Sequence, residues 1–145
     1  MIKIIKLISI FFIAVNLTNS SLAESNFFEE GKKKYNKKKY EESKFLFQRN
    51  IIFNPKDQEA YLYLAKIYKL EENDKEEQKN INTVLLLNPK NEEANYLLME
   101  IELKNSNYSK VKELAENFTK ICSKLCNKKT LILESLKNLE PKNES

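Results

Sequence analysis

Apolar residues recur at three- and four-residue spacing in seven successive stretches of this 145-residue chain, the pattern of helices that each bury one face. Phe27, Phe28, Gly31 and Tyr35 predict a helix over 25–36. Tyr40, Ser43, Phe47, Asn50 and Ile51 line one over 40–53, which Pro55 must stop, because it lacks an N–H and disfavours helix at the residue before it. Tyr61, Leu64, Ala65 and Tyr68 mark a third over 57–70; Ile81, Val84, Leu85 and Leu87 mark a fourth over 74–87, stopped by Pro89. Leu97, Leu98 and Ile101 face inward over 91–104, and Tyr108, Val111, Leu114, Ala115 and Phe118 over 108–121. A stripe of Leu131, Leu133, Leu136 and Leu139 predicts a last helix over 128–139 with Asn127 as its cap, followed by a polar, fraying tail at 141–145.

Two of the stops are copies of each other. Asn54-Pro55-Lys56 returns as Asn88-Pro89-Lys90 after 34 residues. Each follows an apolar run and precedes an acidic-then-apolar one. A fixed period of this length belongs to stacked helix–turn–helix units. Composition agrees: one glycine and three prolines leave little room for hairpins or phosphate-cradling loops. Histidine is absent, which removes His-based triads, general bases and metal ligands.

Taking each proline as position 32 of a 34-residue unit aligns the rest of the chain. Phe27, Gly31, Tyr40, Ser43 and Phe47 fall at positions 4, 8, 17, 20 and 24; Tyr61, Leu64, Ala65, Tyr68, Ile81 and Val84 fall at 4, 7, 8, 11, 24 and 27. Leu98, Tyr108, Val111, Ala115 and Phe118 continue the series at 7, 17, 20, 24 and 27. In this pattern the chain resembles the tetratricopeptide repeat (TPR) family. The resemblance implies an all-α, TPR-type α-solenoid of about three helix pairs, over about 24–57, 58–91 and 92–125, plus a C-terminal capping helix at 128–139, in a domain spanning 24–140. Small residues at positions 8 and 20 let paired helices approach, and no pair buries its face alone. The departures are Glu77 in place of a small residue, left as either open or paired, and Asn95, Met99 and Ser123 in the third unit.

The family's working surface is the groove lined by the first helix of each pair. The resemblance places Phe28, Lys32 and Tyr35 there from the first unit, Leu62, Lys66 and Lys69 from the second, and Tyr96, Glu100 and Leu103 from the third. An apolar and aromatic stripe flanked by lysines suits an extended or helical peptide of some acidic character. The Lys/Asn clamp that some relatives use for a chaperone's C-terminal carboxylate does not recur, since Tyr63, Glu93 and Leu97 stand where it would be.

The N-terminus adds location. Lys3 and Lys6, the apolar run to Val15, and Ser21-Leu22-Ala23 read as a secretory signal peptide over 1–23, cleaved before Glu24. The run is short for a span, which needs roughly 20 apolar residues; an uncleaved N-terminal membrane anchor is the rival reading. Loss of Lys3 and Lys6 takes the net charge from +4 to +2. An exported, periplasmic protein follows, and there the only two cysteines, Cys122 and Cys126, default to a disulfide pinning the turn before the last helix. Reduced bystanders and redox or metal chemistry are the other readings; the C-x3-C spacing is not that of redox motifs, and no further ligand completes a zinc site.

No cofactor, metal or catalytic residue is indicated. Carboxylates alternate with lysines on helix faces. The run from Lys32 to Lys39 is read as a solvated turn, with contact to anionic lipid or an acidic partner as its functional alternative; nucleic acid is not expected. The expected function is a non-catalytic protein–protein interaction module of the bacterial envelope. The alternatives are a structural subunit of a larger envelope complex, and a thiol-redox protein using Cys122 and Cys126.

Overall fold

A computed structural model describes residues 26–139. The signal segment at 1–23, its cleavage before Glu24 and the tail at 141–145 lie outside the described residues. Among the described residues seven helices follow one another: α1 (Asn26–Asn36), α2 (Tyr40–Phe53), α3 (Gln58–Leu70), α4 (Asp74–Leu87), α5 (Glu92–Lys104), α6 (Tyr108–Ile121) and α7 (Asn127–Leu139). The described residues contain no strand. The chain divides into two compact units, one ending at Ala60 and one beginning at Tyr61.

The helix ends have local causes. The proline turns place a capping side chain just after each stop. Asp57 Oδ1 accepts from the N–H groups of Glu59 and Ala60 at 3.1 and 3.2 Å. Asn91, at the matching position, accepts from the Ala94 N–H at 2.9 Å. Each cap satisfies amides that have no carbonyl within their own helix. Buried Asn50 donates to Asp57 Oδ2 at 2.6 Å, so the turn is tied back to the helix it ends.

The turns inside the pairs share one backbone pattern. Lys38, Glu72 and Ser106 adopt left-handed φ values of 59°, 55° and 59°. In each turn the next N–H reaches back to close the helix end: Lys39 to the Lys34 carbonyl at 3.0 Å, Asn73 to Tyr68 at 2.9 Å, Asn107 to Glu102 at 2.9 Å. The left-handed residue itself bonds to Tyr35, Lys69 or Leu103 at 2.8, 3.2 and 3.0 Å respectively. These are Schellman motifs, normally ended by glycine. None of the three is glycine here, and the same 34-residue spacing separates them.

In unit 1, α1 packs against α2 through the two small positions. A Cβ at Gly31 would lie 2.9 Å from the Phe47 ring, so only glycine fits without a shift. Ser43 Oγ donates to the Gly31 carbonyl at 2.8 Å.

Unit 2 holds two cores. Leu62, Ala65, Ile81, Val84, Ala94, Leu97 and Ile101 form the first, from α3, α4 and α5. Met99, Val111, Ala115, Phe118, Ile132 and Leu136 form the second, from α5, α6 and α7. α5 therefore serves both, and Met99, a departure from the repeat pattern, is fully buried. The expected α7 stripe is corrected. Ile132 and Leu136 are the buried pair, Leu133 is half-buried, and Leu131 and Leu139 are 48% and 56% exposed. A stripe of leucines alone overlooked that Ile132 and Leu136, at i,i+4, share the face turned to α5 and α6. Leu87, expected inward on α4, is exposed. Glu77 is neither open nor paired: it is 5% exposed, and although its N–H donates to the Asn73 carbonyl at 2.9 Å, no described residue bonds its carboxylate.

The turn between α6 and α7 is held from α5. Glu92 accepts from Ser123 Oγ at 2.7 Å and from the Leu125 and Lys124 N–H groups at 2.7 and 3.0 Å. Within that turn the sulfurs of Cys122 and Cys126 lie at bonding distance, 2.08 Å, with Cα atoms 5.2 Å apart. The Ser123 hydroxyl and the Leu125 amide hold the Glu92 carboxyl down to about 2, from an ordinary 4.5. A depressed carboxyl contributes stability above its unfolded-state value, and that contribution is lost as pH falls toward the folded-state one. Amide exchange at Lys124 and Leu125, corrected for intrinsic rate, is therefore expected to quicken relative to the rest of unit 2 between pH 4.5 and about 2. In Glu92→Gln that extra pH dependence should vanish. Equal pH profiles in the two proteins would show that Glu92 does not hold the turn.

Candidate functional site

Of the nine residues expected in the groove, three lie in unit 1 on α1. Lys32 is exposed. Phe28 and Tyr35 are half-buried and packed within their own pair, Phe28 tilted on Phe47 at 5.7 Å and Tyr35 edge-on to Tyr40 at 5.5 Å. The basic run beside them is partly neutralised. Glu42 pairs with Lys34, and with Lys39 at 3.0 Å, and these two lysines lower its carboxyl.

The other six lie in unit 2, and one is corrected. Leu62 is 3% exposed and belongs to the first core, where it meets Ala94 and Leu97 of the next pair rather than solvent. Of the remaining five, Lys66 and Lys69 of α3 are each paired with a glutamate of α5, and Tyr96 joins the second pair. Lys66 pairs with Glu93 at 3.1 Å and stands 4.3 Å above the Tyr63 ring. Lys69 donates to one oxygen of Glu100 at 2.5 Å, and the Tyr96 hydroxyl donates to the other at 2.7 Å. Burial, then the bond to Glu100, push the Tyr96 phenol up to about 12, so the proton stays on the donor. Lys128 of α7 lies 4.8 Å over the Tyr96 ring, a cation–π contact. Leu103 is half-buried against the second core.

This wiring changes the expected ligand. The lysines that suggested an acidic peptide are answered within unit 2 by glutamates 27 and 31 residues away. Their net attraction for an anion is correspondingly small.

Two cavities flank α5. One of about 300 Å3 lies between α5 and α7, lined by Tyr96, Glu100, Leu103, Lys104, Leu131, Ile132, Ser135 and Leu139. The other, of about 190 Å3, is lined by Lys69, Glu72, Asp74, Glu77, Glu100, Ile101 and Lys104. Lys104 clasps Asp74 through both carboxylate oxygens at 2.7 Å. The contributions of Leu131 and Leu139 were hidden because both leucines were assigned to the core. Those of Asp74 and Lys104 depend on a pairing 30 residues apart that no local pattern reveals. Among the described residues no group of three metal-ligating side chains converges, and no helix is long and apolar enough to cross a membrane.

No protein-family model matches the chain, and no curated protein sequence does. Solved structures do match in shape. The first TPR of Spaghetti (RPAP3), bound to an HSP90 peptide, is 14% identical with a TM-score of 0.71, covering 81% of this chain and 94% of that one. The TPR2B domain of yeast Sti1, in a complex with pHsp70, is 13% identical with a TM-score of 0.70, over 81% and 98% of the two chains. The Yersinia enterocolitica type III secretion chaperone SycD, with a peptide of the translocator YopD, is 13% identical with a TM-score of 0.71, over 84% and 96%. The chain has the tetratricopeptide-repeat fold.

Within that fold, α3 and α5 are the first helices of successive pairs, and α7 follows α5 in the same role. The three residues Tyr63, Glu93 and Leu97 are each engaged within unit 2. Tyr63 carries Lys66, Glu93 is bound to Lys66, and Leu97 is buried in the first core.

Proposed function

We propose that this TPR protein is a non-catalytic protein–protein interaction module of the bacterial envelope, holding a peptide of a partner protein on the face that α5 shares with α3 and α7. The observation that carries the reading is the cavity of about 300 Å3 between α5 and α7. It combines the partly covered aromatic and apolar walls of Tyr96 and Leu103 with two exposed leucines, Leu131 and Leu139, inside a polar rim. Apolar anchors ringed by polar groups are what a peptide side chain needs to bind with both affinity and register. Structures of the same fold hold peptides, as SycD does with YopD and Spaghetti with HSP90, which supports the class of ligand.

Export through a cleaved segment 1–23 completes the proposal, with Cys122 and Cys126 acting as a structural disulfide in an oxidising compartment. A photo-reactive residue at position 131 is expected to cross-link a contiguous segment of one envelope protein. Leu131→Glu, made at an exposed site, should lose the partner in envelope capture while its melting curve stays unchanged. Undiminished capture by Leu131→Glu would overturn the site. Intact mass of the exported protein should show a chain beginning at Glu24 with no free thiol; a retained N-terminus or two titratable thiols would overturn the location and the bond.

A further inference from the structure

We propose that the cavity of about 190 Å3 between α3, α4 and α5 is a receptor for one basic side chain of the bound peptide, an arginine or lysine, anchored by the Glu77 carboxylate. The inference rests on the reading that a peptide lies on this face, and it adds the chemistry of that peptide.

Glu77 stands where the repeat pattern calls for a small residue. It is 5% exposed and lines the cavity; its N–H donates to the Asn73 carbonyl at 2.9 Å, but its carboxylate bonds to no described residue. A buried carboxylate without a partner costs free energy, and such groups are normally paired or hydrogen-bonded. The charges around it are already committed. Lys69 is bound to Glu100 at 2.5 Å, and Lys104 to Asp74 at 2.7 Å. These two pairs cancel, which leaves Glu77 and Glu72 as the uncompensated charges on the cavity wall, a net of two negatives. An anionic side chain would meet repulsion and lysines already taken. A cation would meet a carboxylate with no partner of its own.

Geometry and chemistry narrow the cation further. No trio of metal ligands converges among the described residues, so a bare metal ion has too few donors. Ile101 supplies an apolar wall for the methylene stem that an arginine or lysine must bury on the way in. A guanidinium can meet both carboxylate oxygens at once. Burial pushes the Glu77 carboxyl up, against the pull of Lys69; an entering cation would pull it back down. Glu100 and Lys104 also line the apolar cavity on the other side of α5. A peptide crossing α5 would therefore present an apolar side chain to one cavity and a basic one to the other.

The probe is N-acetyl-arginine methylamide, titrated into the full mature chain and followed by backbone amide shifts, with the uncharged citrulline analogue as its control. The arginine probe is expected to shift the amides around Lys69, Glu77, Glu100 and Lys104 with a dissociation constant of roughly 1–10 mM, as befits one side chain. The citrulline analogue, and the arginine probe on Glu77→Gln or Glu77→Ala, should each bind at least about tenfold more weakly. Absence of localised shifts, equal binding of citrulline, or full binding by both Glu77 variants would overturn the proposal. Leu131→Glu separates the two readings: it should abolish partner capture and leave the arginine shifts intact. Capture without arginine shifts sinks the Glu77 receptor alone, whereas arginine shifts without capture sink the peptide face and leave the receptor standing.

Discussion

Placing phenylalanine at Ala65 is expected to destabilise the protein by about 1–3 kcal/mol, the usual cost of forcing extra volume into a filled core. Ala65 is fully buried on α3 and packs in a cluster with Ile81 and Val84 of α4 and Ala94 and Leu97 of α5. A small side chain here lets the paired helices approach, as Gly31 does in unit 1, where an added Cβ would sit 2.9 Å from Phe47. A phenyl group has no free volume to enter, and the helices on either side must part. Thermal melting by circular dichroism reads the effect, at roughly 4–8 °C per kcal/mol for a small domain. Leu86→Ala is the control: at 82% exposure its loss should change stability by no more than about 0.5 kcal/mol. An Ala65→Phe protein that melts with the wild type would mean that the 34-residue register has been misaligned.

That register was open to reading because its causes are local. Proline stops and polar caps act over a few residues, so each helix begins and ends within one residue of the expected place. Small and large positions at fixed spacing carry the packing of one helix on the next. What stayed hidden depends on residues that meet only after folding. Glu92 clamps a turn more than 30 residues downstream, and nothing near Glu92 announces it. The pairs Lys66–Glu93 and Lys69–Glu100 turn an apparently basic groove into a nearly neutral one. Leu62 shows the same limit from the other side: a groove position by repeat alignment, it is buried in one cluster with Ala94 and Leu97 of α5. Fold follows from periodicity, whereas the ligand's chemistry depends on which charges remain unpaired after the pairs have stacked.

The left-handed turns were missed for a different reason, and they carry the largest expected gain in stability. Sequence signals for a Schellman ending are glycine or asparagine, yet lysine, glutamate and serine occupy the three positions, at φ of 59°, 55° and 59°. The left-handed conformation costs an L-residue with a Cβ roughly 1–2 kcal/mol. Glycine removes that cost and gives back about 0.5–1 kcal/mol through its greater freedom in the unfolded chain. Lys38→Gly, Glu72→Gly and Ser106→Gly should therefore each stabilise by about 0.5–1 kcal/mol, and the triple variant by about 2 kcal/mol, since well-separated sites add. Urea unfolding gives the sum as a shift in midpoint at constant slope. The alanine counterparts discriminate the cause. Alanine trims the same side chains but keeps the Cβ, so Lys38→Ala, Glu72→Ala and Ser106→Ala should gain nothing. If the alanine and glycine triples unfolded at the same midpoint, the gain would come from losing the original side chains, and the left-handed backbone would not be the strained element. The ordering glycine above wild type, with alanine at or below it, assigns the strain to the backbone of the three turns.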